Sequence, residues 1–209
     1  MNRRDALMRV ATLMGATLTL PALSDTLAAS AAAREASGKP LLLTAEQDAL
    51  VAEMAEVIIP NTSTPGAKAA KVNELIDVLL KDCYKPADQK RFLDGLAHTN
   101  ELSRNAYGKS FVQLQPEQRI DVMKKLEAEA KAQREAARKA VEGGNNQVDV
   151  QIPKEQLNAT PFFAMLKDMT LLGYFTSEVG ATQALEYVPV PGRYDGCVTM
   201  KPGQKAWAI

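Results

Sequence analysis

The sequence predicts a mainly α-helical, compact domain with long loops and an irregular C-terminal docking tail, preceded by a cleavable N-terminal signal. Three observations lead there. Apolar residues recur at spacings of three and four in several separate stretches, the period of a helix with one buried face. Helix-starting residues and helix-stopping prolines or glycines punctuate those stretches. Strand-like alternation is confined to Val148, Val150 and Ile152, just before Pro153.

Residues 1–33 read as the signal. Arg3 and Arg4, with Arg9, make a positive leader, and Leu7 fits the apolar position that follows a twin arginine. Ala6 and Met8 stand where such signals carry Phe and Lys. Val10 to Leu23 is a short apolar region diluted by Thr12, Gly15, Thr17 and Thr19 and ended by Pro21. It is too short and polar to span a bilayer comfortably, and Ala29-Ser30-Ala31 and Ala31-Ala32-Ala33 offer small-residue cleavage points. The expectation is export to the periplasm by the twin-arginine route, which carries cargo already folded.

Residues 34–209 then form one helical domain. Thr44 caps a first helix with Gln47 as its capping-box partner, and Leu50, Val51, Met54, Val57 and Ile58 follow helical spacing until Pro60. Residues 60–66, with two prolines and a glycine, form a loop. Val72, Leu75, Ile76, Leu79 and Leu80 mark a second helix, whose apolar stripe continues to Cys83. A third stretch runs from near Pro86 through Phe92, Leu93 and Leu96 towards Leu102. Pro116 suits the first turn of a fourth helix, rich in Ala, Glu, Lys and Arg beyond Lys124, which reads as an exposed arm over about 116–142 before Gly143-Gly144. Thr160-Pro161 opens a fifth, with Thr160 as cap and Phe162, Phe163, Leu166, Met169, Leu172 and Phe175 as apolar positions. Several of these are expected in the core, and so broad an apolar surface leaves room for a partner beyond what one helix buries within its own subunit. From Tyr187 to 209 the chain turns to prolines, glycines and aromatics, a docking tail set on its own core or on a partner.

Composition excludes several functions. The chain has 209 residues, with 25 basic and 25 acidic side chains. Removing residues 1–33 takes three arginines and two aspartates, leaving 22 basic against 23 acidic. That balance gives no electrostatic reason to bind nucleic acid or an anionic membrane. The two cysteines, Cys83 and Cys197, are open to a mutual disulfide, to a bond with another chain, or to burial as free thiols. The lone His98 reads as a solvated or hydrogen-bonded structural residue, and these few ligands lack zinc or haem-attachment spacing. No dinucleotide, phosphate-loop, zinc-protease or serine-hydrolase motif is present. Glu53 and Glu56 read as helix neighbours on a surface face. A folded-export signal on a chain without an evident cofactor is explained if a cofactor-loaded partner travels with it, or if this domain folds too fast for unfolded export.

Three segments carry a resemblance. They are Ile59-Pro60-Asn61-Thr62-Ser63-Thr64-Pro65-Gly66-Ala67 with the helix after it, the run from Phe163 through Lys167-Asp168-Met169 to Gly180, and Tyr187 with Pro191-Gly192-Arg193-Tyr194-Asp195-Gly196-Cys197. Together with the arginine signal they resemble the gluconate 2-dehydrogenase subunit 3 family, small subunits of periplasmic flavin-dependent sugar and sugar-acid dehydrogenases. The resemblance implies a non-catalytic, stabilising and export-directing partner of a large flavoprotein of the glucose–methanol–choline type. FAD would sit in that partner and none in this chain, and a multihaem cytochrome c subunit often takes the electrons. Membrane association would come only through the complex. Under this reading Pro60, Pro65, Phe162, Phe163, Tyr174, Phe175, Tyr187, Tyr194 and Trp207 are docking surface, Cys197 is a candidate intersubunit disulfide, and Cys83 is a buried thiol. The competing expectation is a self-sufficient periplasmic helical binding or scaffold domain without a flavoprotein.

Overall fold

The computed structural model describes residues 40–142, 160–188, 190, 192, 199 and 202–208. The mainly helical expectation holds. Five long helices carry the described domain: α1 (Ala45–Ile58), α2 (Val72–Asp82), α3 (Pro86–Tyr107), α4 (Pro116–Glu142) and α5 (Phe162–Thr176). A 3₁₀ turn (Phe111–Gln113) links α3 to α4, and a π-helical turn (Gly180–Ala184) follows α5. Two strands of two residues each, β1 (Glu186–Tyr187) and β2 (Trp207–Ala208), pair in parallel, Glu186 opposite Trp207 and Tyr187 opposite Ala208.

Local chemistry accounts for the helix ends. At α1 the Gln47 backbone N–H donates to Thr44 Oγ1 at 3.2 Å, and the Thr44 N–H donates to Gln47 Oε1 at 2.9 Å. That is the reciprocal capping box the sequence predicts. Helix α3 ends on Gly108, whose φ of 69° lies in the left-handed region that only glycine enters at no steric cost. The fifth helix departs from expectation. Pro161 occupies the cap position and no side chain caps the helix, so Thr160 has no such role.

Helix α5 is the hub, packing against each of α1, α2, α3 and α4. That position explains why its sequence is apolar on nearly all sides. Leu166 and Met169 of α5 meet Val51 and Met54 of α1, Ile76 and Leu80 of α2, Phe92 and Leu96 of α3, and Val122 and Leu126 of α4 in one buried core. Close approach is secured by glycine. A Cβ on Gly95 of α3 would lie 2.1 Å from Cγ of Phe162, whose ring packs edge-on against Phe92 at 5.2 Å between centroids.

Among the described residues one charged side chain lies inside. Asp77 is fully buried, and its carboxylate accepts backbone N–H bonds from Leu41 (2.6 Å), Leu42 (3.0 Å) and Leu43 (2.9 Å). It fastens the segment entering α1 onto α2. The strand-like stretch at Val148–Ile152 and the arginine signal at Arg3, Arg4 and Leu7 lie outside the described residues.

Candidate partner-docking surface

The loop after α1 is built more firmly than its proline content suggests. The Glu56 carboxylate accepts the backbone N–H of Asn61 at 3.0 Å and that of Lys68 at 2.9 Å, clasping both ends of the loop. Gly66 is buried against this carboxylate, where a Cβ would come within 2.3 Å of Glu56 Oε1. The Ala67 N–H donates to the Ile59 carbonyl at 2.9 Å. Glu53 binds Lys68 Nζ at 2.6 Å and Arg119 of α4 at 2.5 Å, joining the loop to the bundle. The two glutamates therefore organise this loop and are not a free surface pair. Pro60 to Ser63 form its exposed apex, and Pro65 is half-buried.

Tyr174 pins the loop from α5. Its hydroxyl donates to the Pro65 carbonyl at 2.7 Å, and its ring is 2 % exposed. The expectation that Tyr174 forms docking surface is thereby corrected: its polar tip has a partner inside the subunit, so the ring is core. Its neighbour Phe175 packs edge-on against it and stays outside, 42 % exposed.

Exposed apolar surface is concentrated nearby in the chain. Of the eight large hydrophobic side chains exposed among the described residues, six lie from Leu171 onward: Leu171, Leu172, Phe175, Tyr187, Val190 and Trp207. At 100° per residue, Leu171, Leu172 and Phe175 fall within one arc of α5 of about 100°. Met169, Thr170, Gly173 and Tyr174, all buried, occupy the opposite side. Gly173 faces Val72 and Leu75 of α2. The end of α5 is thus covered on one side and bare on the other. Burying a half-exposed Leu or Phe stabilises by about 1 kcal/mol, so this row has a real affinity for an apolar partner. Leu171 was missed because nothing in the apolar run shows which side the other helices cover.

The expected docking residues do not form one patch. Phe162 and Phe163 start α5, and Phe175 lies 13 residues on, about 20 Å along the axis. Phe162 is half-buried against Phe92, and Phe163 is half-buried beside α4. In the short ribbon Trp207 shares a face with its partner Glu186, so Tyr187 projects from the other face. Both rings are about half exposed, yet one flat partner cannot cover both from the same side of the ribbon. Tyr194 and Cys197 lie outside the described residues.

Cys83 is a second correction. Cys83 is the cap residue directly after α2 and keeps near-helical backbone angles, but the apolar stripe stays covered only as far as Leu80. Its backbone N–H caps the helix end by donating to the Leu79 carbonyl at 2.8 Å, while its side chain is exposed, with no disulfide partner among the described residues. Partial desolvation first, and Asp82 second, push its thiol pKa upward. In a Cys197→Ser background, Cys83 is expected to react with a maleimide without denaturant. The midpoint of its rate–pH profile should lie on the alkaline side of an ordinary thiol. Labelling that requires unfolding would contradict the exposed placement.

His98 of α3 lies 3.0 Å from Glu129 of α4, both nearly half exposed, a surface contact between helices. No group of three metal-ligating side chains occurs among the described residues. What these separate surfaces offer is contact chemistry: an apolar row on α5, a clasped hydroxyl-bearing loop and a two-faced aromatic ribbon. Among the described residues no helix is long and apolar enough to cross a membrane.

No curated protein and no solved structure matches the chain. A family model described as gluconate 2-dehydrogenase subunit 3 matches residues 45–192, from the first residue of α1 past the end of β1. The match takes in all five long helices and the clasped loop, and the chain belongs to the gluconate 2-dehydrogenase subunit 3 family, named for a subunit of an oxidoreductase complex.

Proposed function

We propose that this chain is the non-catalytic small subunit of a periplasmic dehydrogenase that oxidises a CH–OH group of a sugar or sugar acid. The catalytic partner is a large flavoprotein of the glucose–methanol–choline type that holds the FAD. The small subunit stabilises it and, through the arginine pair Arg3-Arg4 ahead of Leu7, takes it out of the cytoplasm folded. A multihaem cytochrome c subunit then receives the electrons, and membrane association comes through the complex. The observation that carries this reading, beside family membership, is the bare apolar arc Leu171, Leu172 and Phe175 on a helix whose other side is fully packed. Cys197 supplies the covalent link between the subunits in this reading.

The test is co-purification. The tagged chain drawn from its native periplasm should bring down a large polypeptide whose spectrum shows flavin. Leu172→Ser with Phe175→Ser should lose that partner while its own helical signal is unchanged. Non-reducing gels should show a heavy band that Cys197→Ser removes. A colourless, soluble monomer from the native source would instead support the self-sufficient scaffold domain.

A further inference from the structure

The other end of α5 carries a different kind of surface. Two adjoining hollows meet at Phe163, between the end of α1, the middle of α4 and the start of α5. The larger, of about 320 Å³, has an apolar floor of Val57, Ile58, Met123 and Phe163, with Ile120 standing 44 % exposed at its edge. Lys124 and Lys167 stand over this floor, and Lys131 and Arg134 extend the rim along the second hollow.

Charge decides what fits. The four cations around the two hollows face two carboxylates, Glu127 and Asp168. Glu127 is itself flanked by Lys131 at 3.7 Å and Lys167 at 3.8 Å, so its charge is already offset. The rim therefore carries an excess of two positive charges on a chain whose formal net charge is zero. Apolar floor and basic rim together suit a segment presenting one or two large apolar side chains beside carboxylates. A basic or purely apolar segment would leave the rim charges opposed or desolvated.

We infer that this basic-rimmed groove is a second docking site, which takes an acidic amphipathic segment of the dehydrogenase partner. The inference rests on the proposed subunit role. The two contacts differ in physics. The Leu171–Phe175 arc binds by apolar burial and is insensitive to salt, whereas the groove speeds encounter and weakens as ionic strength rises.

The experiment uses the purified two-chain complex, reassembled from its subunits, with association followed by interferometry from low to high salt. Cysteine-linked species are first removed with reductant. Lys124→Glu with Lys167→Glu is expected to slow association about tenfold or more at low salt and to flatten the salt dependence. Circular dichroism and melting temperature should stay at wild-type values, since both side chains are exposed. Val57→Ser, at the floor, should raise the dissociation rate instead. Wild-type kinetics with an unchanged salt slope in the charge-reversed protein would overturn the groove while leaving the subunit role standing. Failure of the wild-type chain to bind any dehydrogenase subunit would remove the subunit role itself. If the variants instead abolish self-association in light scattering, the occupant is a second copy of this chain and the inference fails.

Discussion

Asp77→Ala is expected to lower the unfolding free energy by about 3–5 kcal/mol, which in a chain of this size corresponds to a melting temperature lower by roughly 6–20 °C. The carboxylate is fully buried and accepts three consecutive backbone N–H groups, from Leu41, Leu42 and Leu43. Alanine leaves those donors without their acceptor, and Leu43 is itself 5 % exposed, so water cannot readily replace the lost oxygen. The change also frees the segment that positions the capping box of α1, so part of the loss should appear as fraying of that helix. Asp77→Asn separates the contributions. Its amide oxygen, placed where Oδ1 lies, still serves Leu42 and Leu43, but its NH₂ group then faces the Leu41 N–H, two donors together. An intermediate loss is expected, read by chemical denaturation with an unchanged slope. A wild-type midpoint for Asp77→Ala would show that the three hydrogen bonds contribute little.

Asp77 also marks where the sequence stopped being informative. The stripe Val72, Ile76, Leu80 predicts α2 and its buried side, but an aspartate one position from that stripe looks like the edge of the apolar face. Its partners are backbone groups 34 to 36 residues away, and no side-chain pattern announces them. Glu53 and Glu56 hid differently: Glu53 pairs with side chains 15 and 66 residues on, and Glu56 binds backbone N–H groups of Asn61 and Lys68, which carry no sequence signal. The capping box at Thr44 and Gln47, by contrast, is a local device four residues long, so sequence suffices to place it. Cys83 shows the limit of periodicity: the stripe extrapolates through it, but its position at the helix end is left uncovered. The aromatic run of α5 revealed a buried helix with surplus apolar surface, yet not how the surplus divides. Tyr174 went inside because its hydroxyl meets Pro65, a contact across 109 residues, and Leu172 and Phe175 stayed out.

Gly180→Ala is expected to cost about 3 kcal/mol, at the upper end for added volume in a packed site, because the obstacle is backbone and not a side chain that can turn away. A Cβ at this position would meet the carbonyl oxygen of Tyr174, with the Cα of Phe175 3.2 Å away. That carbonyl is already engaged by Ser177, whose N–H donates to it at 3.2 Å and whose hydroxyl donates at 2.6 Å. The Gly180 N–H in turn donates to the Ser177 hydroxyl at 3.0 Å, so the turn closes on itself around Tyr174. Two responses are open to an added methyl. Shifting α5 would pull Tyr174 from Pro65 and Gly173 from α2, disturbing the core. Opening the turn would release the π-helical segment and with it β1 and β2, leaving the five-helix core intact. The second is cheaper, since each strand is two residues long and its rings are already half exposed. Trp207 is the chain's one tryptophan, so its fluorescence reports this segment alone. The expected result is a red-shifted, more quenchable Trp207 emission at a temperature where the helical circular dichroism is still native, together with weaker capture of the proposed flavoprotein partner. Loss of both signals at one temperature would mean that the turn and the bundle unfold as a unit. Unchanged emission with normal partner binding would show that the Tyr174–Gly180 contact does not position the C-terminal ribbon.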